Sequence, residues 1–180
     1  MKLRPDRGNN HRLLRGLFIR DFLWGRGPFG ATIIDPRRGS TQSDINFEFK
    51  EASARETARQ RAEKIVSRMV LAGVDVTEEQ AARIYRRELE RVSIKFTRMR
   101  YHPSLVYFGL LKRLHWVEKT GEVQPSAVQK NYSGAPGRVY YRLTKKGMEA
   151  GDELWSNPLF ALYPKFGINH REKLSLPHKG

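Results

Sequence analysis

Residues 137–147 read Gly-Arg-Val-Tyr-Tyr-Arg-Leu-Thr-Lys-Lys-Gly. The six residues 138–143 are rich in aromatic and β-branched side chains, which suit a pleated, half-buried surface. Thr144 then stops the strand, because a threonine hydroxyl accepts an orphan amide at the start of a helix. The stretch predicts a strand, a sharp end, and a final helix over about 145–155 carrying Met148, Leu154 and Trp155. Upstream, WVEKTG (116–121) reads as a second strand ending in a turn. The intervening 122–137, EVQPSAVQKNYSGAPG, is polar and holds two prolines and two glycines. Two strand-prone runs joined by such a loop read as a hairpin with a long connection.

Working further outward, the helical signals lie upstream. Ser53 followed by Glu56 is a capping-box pattern, and Ala58, Ala62, Ile65, Met69 and Ala72 recur at helical spacing up to the stop at Gly73. This predicts helix A over 54–72. Val74-Asp-Val76 reads as a very short extended piece. Thr77 and Gln80 form a second capping box that opens helix B near Glu78, with an apolar stripe of Ala81, Tyr85, Leu89, Val92 and Phe96. At 100° per residue, Arg87, Arg91, Lys95 and Arg98 fall on the opposite side as a basic ridge. Pro103 suits the first turn of helix C, which runs through SLVYFGLLKRLH. Residues 1–42 show no sustained helical period. Leu17 to Trp24 (LFIRDFLW) reads as a strand or docking segment, and INFEFK (45–50) alternates apolar and polar as a short strand or extended arm would.

The resulting order, helix A, short strand, helix B, helix C and hairpin, is that of a winged helix. Leu111-Lys-Arg-Leu114-His-Trp-Val-Glu118 together with Arg138-Val-Tyr-Tyr-Arg-Leu-Thr-Lys-Lys-Gly147 resembles the "L-x-x-L-G-hydrophobic-V … Y-x-L-T-x-x-G" signature of winged-helix transcription regulators, including the PadR-like and MarR-like groups. The resemblance covers about residues 54–150. His115 stands where those proteins usually have glycine, and the wing loop is longer than theirs. The resemblance implies that helix C is the recognition helix in the major groove and that the wing contacts the backbone or the minor groove. Helix C supplies Ser104, Lys112 and Arg113 for that task. Most of its circumference is apolar, so residues 103–115 are expected either to be covered by the terminal extensions or to face another protein. The candidate phosphate contacts are the ridge Arg87, Arg91, Lys95 and Arg98, then Arg100 and His102 before helix C. In or beside the wing they are Gln129, Lys130, Asn131 and Arg138, with Tyr132 available for stacking or for packing on the sheet.

Composition agrees with a polyanionic partner. Thirty-four Lys and Arg against 19 Asp and Glu give +15, and 22 of the 34 are arginine, the side chain suited to bidentate phosphate contact. Such an excess marks nucleic-acid binding. Residues 1–42 carry nine basic against three acidic side chains, and 156–180 four against one. The absence of cysteine excludes disulfides and thiolate chemistry. The five histidines have no metal-ligand spacing, and no catalytic motif occurs, so no cofactor, no metal and no enzymatic activity are expected. Gly25-Arg-Gly-Pro-Phe-Gly30 matches the letters of a dinucleotide fingerprint, but no helix opens at its last glycine; an arginine-bearing turn is the better reading. No apolar run is long enough for a membrane span, and a soluble protein of cytoplasm or nucleoid is expected.

The expected organisation is thus a mainly α, α+β winged-helix domain over 53–155, a basic extended N-terminal arm with short strands over 1–52, and an extended tail over 156–180. The expected function is a DNA-binding transcriptional regulator, with double-stranded DNA ahead of RNA as partner. The alternative is a non-catalytic structural subunit of a larger nucleoprotein assembly, held to protein partners by its terminal arms.

Overall fold

LFIRDFLW, expected as a strand or docking segment, folds as a helix that buries its apolar side chains at i, i+1, i+4 and i+5 counted from Phe18. The structure is a computed structural model and describes residues 14–97, 102–125 and 137–164. Helix α1 (Arg15–Leu23) buries Phe18, Ile19, Phe22 and Leu23 almost completely. Nine residues are too few for a stable helix alone, so packing holds it. The Phe18 ring stacks on Phe22 at 5.8 Å and meets Phe49 edge-on at 5.4 Å. On its other side Arg20 is buried and pairs with Asp21 and Asp152. The turn 25–30 follows: Arg26 lies 3.9 Å over the Trp24 ring and pairs with Asp21.

After a two-residue strand, β1 (Ser40–Thr41), helix α2 (Gln42–Leu71) runs for 30 residues. Its N-cap is Thr41, whose Oγ1 accepts from the Asp44 amide at 3.2 Å. The expected start at Ser53 is therefore corrected. Ser53 and Glu56 sit in mid-helix, where the Ser53 carbonyl accepts from the Thr57 hydroxyl and Glu56 pairs with Arg59. INFEFK is the first part of this helix. Ile45, Phe49 and Ala52, at i, i+4 and i+7, are buried, while Phe47 is exposed. The extended arm expected over 1–52 is thus replaced, from residue 15 on, by elements of the core, and residue 53 falls inside α2 rather than at a boundary.

Gly73, with a positive φ of 80°, follows the end of α2 as expected. Val74 to Val76 form no strand. Helix α3 (Glu78–Thr97) opens on the predicted capping box: Gln80 Oε1 accepts from the Thr77 amide, and Thr77 Oγ1 from the Gln80 amide. It folds back along the C-terminal half of α2 as a helical hairpin, with Ala58, Ala62 and Val92 buried between them.

Helix α4 (His102–Arg113) buries Phe108 and Leu111. It ends by a Schellman turn in which the Trp116 amide donates to the Leu111 carbonyl and the His115 amide to Lys112. His115, at φ 58°, occupies the left-handed position that glycine normally fills. Strands β2 (Val117–Gln124) and β3 (Arg138–Leu143) form the predicted antiparallel hairpin, with Val117 opposite Leu143 and Lys119 opposite Tyr141. Strand β1 adds to the other edge of β3, giving the order β1-β3-β2.

Thr144 caps α5 (Lys145–Glu149) by accepting from the Gly147 amide at 3.0 Å, and its hydroxyl donates to the His115 carbonyl at 2.6 Å. The single final helix expected over 145–155 is instead two, α5 and α6 (Asp152–Ser156), broken at Ala150-Gly151. Helix α7 (Pro158–Leu162) then packs on α4, so the start of the expected extended tail is helical. One core joins α1, the first turns of α2, α4, the sheet and the fully buried Trp155. The protein is mainly helical with a small three-stranded antiparallel sheet. No described helix is long and apolar enough to cross a membrane.

Candidate nucleic-acid interface

The outward side of α4 and the neighbouring face of the β2–β3 hairpin meet at Tyr141. Helix α4 buries Phe108, Leu111 and Ser104 and leaves Leu105, Val106, Lys112 and Arg113 exposed. A side chain added at Gly109 would meet nothing within 4 Å, so that position lies on the open side as well. The Phe108 ring meets Tyr141 edge-on at 4.9 Å. Lys112 Nζ lies 5.9 Å over the Tyr141 ring, while Lys119 faces Tyr141 in the strand register. Burial raises the Tyr141 phenol above its ordinary range, so the ring stays neutral at physiological pH. Lys112 and Lys119 enter no ion pair among the described residues. Arg113 borders the same side, its Nη2 donating to the Tyr163 hydroxyl at 3.2 Å.

The opposite face of the hairpin is electrically satisfied. Arg142 pairs with Glu118 at 2.8 Å, and Arg38 with Glu122 at 2.8 Å while lying 4.9 Å over Tyr140. Arg138, expected to contact phosphate, belongs here. It pairs with Asp44 and donates to Thr41 Oγ1 and Ser43 Oγ at 3.1 and 3.2 Å, locking the start of α2 to β3. In this structure those bonds hold it against the start of α2 and away from Lys112 and Lys119. Ser104, also expected to face a groove, is buried at 8% exposure on the inward side of α4.

The other candidates divide. Arg87 is exposed on α3, and Arg91 pairs with the buried Glu88 at 3.0 Å. Both lie on the helical hairpin, and no ion pair among the described residues links them to α4. The side chains of Lys95 and His102 are not among those described. Arg98, Arg100, Gln129, Lys130, Asn131 and Tyr132 lie outside the described residues. Lys119 and Tyr141 are the members that sequence reasoning missed. The alternation in WVEKT does put Lys119 on the face of Val117, but its meeting with Lys112 depends on a strand register that no local pattern encodes. No protein family, curated protein or solved structure matches this chain.

Proposed function

We propose that this chain is a winged-helix DNA-binding protein of the regulator type that grips phosphates with α4 and the β2–β3 hairpin. In this reading the three helices are α1, the first turns of α2, and α4. Strand β1 is the edge strand before the second helix, and β2–β3 is the wing. The remainder of α2 with α3 is then a hairpin inserted between the second and third helices. The observation that carries the reading is the pair Lys112 and Lys119, two cations from different elements beside one aromatic ring that enter no ion pair among the described residues. With a net charge of +15 around them, a polyanion is the natural counterpart.

The exposed side of α4 offers Leu105, Val106 and Gly109 where base reading by hydrogen bonds needs polar groups. Binding in this reading is carried by phosphates and tolerates sequence. The same exposed Leu105 and Val106 support a second reading, a structural subunit of a nucleoprotein assembly that turns α4 toward another protein.

The test is fluorescence anisotropy with random duplex DNA, single-stranded DNA and duplex RNA over a range of salt. Duplex DNA is expected to bind tightest, with a steep slope of log affinity against log salt. Replacing Lys112 and Lys119 by glutamate should lower affinity and flatten the slope by ~0.9 for each phosphate no longer neutralised. Both residues are exposed, so circular dichroism should not change. Absent binding, or equal binding to all three nucleic acids, overturns the regulator reading.

A further inference from the structure

We propose that the α2–α3 hairpin is a self-association arm, which docks antiparallel on the hairpin of a second copy of this chain. The inference is independent of the nucleic-acid reading. Burial falls off along the hairpin. Near its base Ala58, Ala62, Glu88 and Val92 are buried; beyond them Ile65, Met69, Ala81 and Tyr85 are only half-buried. At the tip Val70, Leu71 and Val74 are exposed by 57, 87 and 45%. Two helices alone cannot cover both sides of the seam they share, and an aliphatic cluster at the end of a projecting element marks a contact surface.

Charge identifies the occupant. Residues 69–80 hold Asp75, Glu78 and Glu79 and no lysine or arginine. The shaft behind them, residues 59–68 and 81–92, holds eight basic side chains against three acidic ones. Two of those three, Glu63 and Glu88, are already paired within the hairpin, to Arg59 and Arg91. Arg86 and Arg87 enter no ion pair among the described residues, and neither do Asp75 and Glu78. The hairpin is therefore self-complementary: a two-fold axis across it lays the acidic, apolar tip of each copy on the basic shaft of the other. A closed two-fold contact of this kind uses the same patch on both partners. Nucleic acid fits the shaft but not the tip, where the carboxylates of Asp75 and Glu78, unpaired among the described residues, would face phosphates. From Ala58 to Leu71 the arm is roughly 20 Å long, and a contact of that length sits near or below ~1,200 Å² of total buried surface. Association should accordingly be weak and salt-sensitive.

Sedimentation velocity of the full chain without nucleic acid tests this. A concentration-dependent monomer–dimer equilibrium is expected, shifted to monomer by Leu71→Glu with helicity and melting unchanged, since Leu71 contributes almost no buried surface. Asp75→Lys/Glu78→Lys and Arg86→Glu/Arg87→Glu should each abolish the dimer, while an equimolar mixture of the two variants restores it, because each reversed tip then meets a reversed shaft. A chain that stays monomeric at the highest soluble concentration overturns the proposal. So does a dimer that Leu71→Glu leaves intact, or a mixture that fails to associate. If the chain is monomeric and the shaft variant instead loses duplex-DNA affinity, the shaft is a nucleic-acid surface and the arm is not an interface.

Discussion

His115 and Gly147 are two ends of one junction, and they make opposite demands on the backbone. The His115 carbonyl accepts from the Thr144 hydroxyl, the Trp116 carbonyl accepts from the Thr144 amide, and Trp155 Nε1 donates to the Gly147 carbonyl. This node ties the end of α4 to the start of α5 and to the core tryptophan. His115 holds a left-handed conformation, which costs an L-residue ~1–2 kcal/mol. Glycine removes that strain but adds ~0.5–1 kcal/mol of backbone entropy to the unfolded chain. The relief of strain outweighs the added entropy, so His115→Gly should stabilise the protein by about 0.5–1 kcal/mol. Gly147 is constrained in the other sense, because a Cβ there would lie 2.2 Å from the Trp116 carbonyl oxygen. Gly147→Ala must push β2 and α5 apart, and overpacking of that kind costs ~1–3 kcal/mol. Urea unfolding of the two variants should give midpoints on opposite sides of the parent. If His115→Gly lowers the midpoint, the left-handed turn is held without strain.

At the scale of elements, α1 and the first turns of α2 separate what the sequence disclosed from what it hid. The hairpin, the Thr144 stop and the Thr77–Gln80 capping box were legible because each rests on a local signal: strand alternation, a hydroxyl cap, a reciprocal pair. The region before residue 53 was not. INFEFK satisfies a period of two through Ile45, Phe47 and Phe49, and, with Ala52 just beyond it, a helical period through Ile45, Phe49 and Ala52. The Thr41–Asp44 cap, a local signal passed over, and the tertiary packing of Phe18 on Phe49 decide for the helix. LFIRDFLW is too short for its stripe to outweigh its aromatic, strand-like composition. The candidate site was legible only in part: Lys112 and Arg113 stood out on α4, while the burial of Ser104 and the bonds of Arg138 to the α2 cap depend on packing that no local pattern encodes. The consequence for α1 is energetic. Phe18 is 1% exposed and sits between two rings, so Phe18→Ala should cost ~3–5 kcal/mol. Removing residues 1–42 takes away α1 and β1 and should unfold the chain rather than trim an arm. A native-like core surviving in the truncated chain, read by limited proteolysis and near-ultraviolet dichroism, would overturn that expectation.

At the scale of the molecule, the proposed DNA surface and the proposed arm occupy different elements: one lies on α4 and β2, the other on the outer part of α2 and on α3. A dimer joined through the arms would carry two DNA-binding heads, and the second head would meet the same duplex at the effective concentration set by the arms. Avidity of this kind adds ~10²–10⁴ to affinity when both sites are engaged, and nothing when the duplex is too short to reach both. Leu71→Glu touches no residue of the α4 surface. It should therefore leave affinity unchanged on a duplex of ~12 base pairs, while on one of ~40 base pairs it should lower affinity at least about tenfold. On the longer duplex it should also bring the salt slope down toward the short-duplex value, because half the phosphate contacts leave with the second head. Anisotropy on the two lengths at several salt concentrations reads both effects together. An equal loss on both lengths would put Leu71 itself against DNA. No loss on either would mean that the two heads do not share a duplex. Length dependence confined to the long duplex is the result that requires two heads and an arm between them.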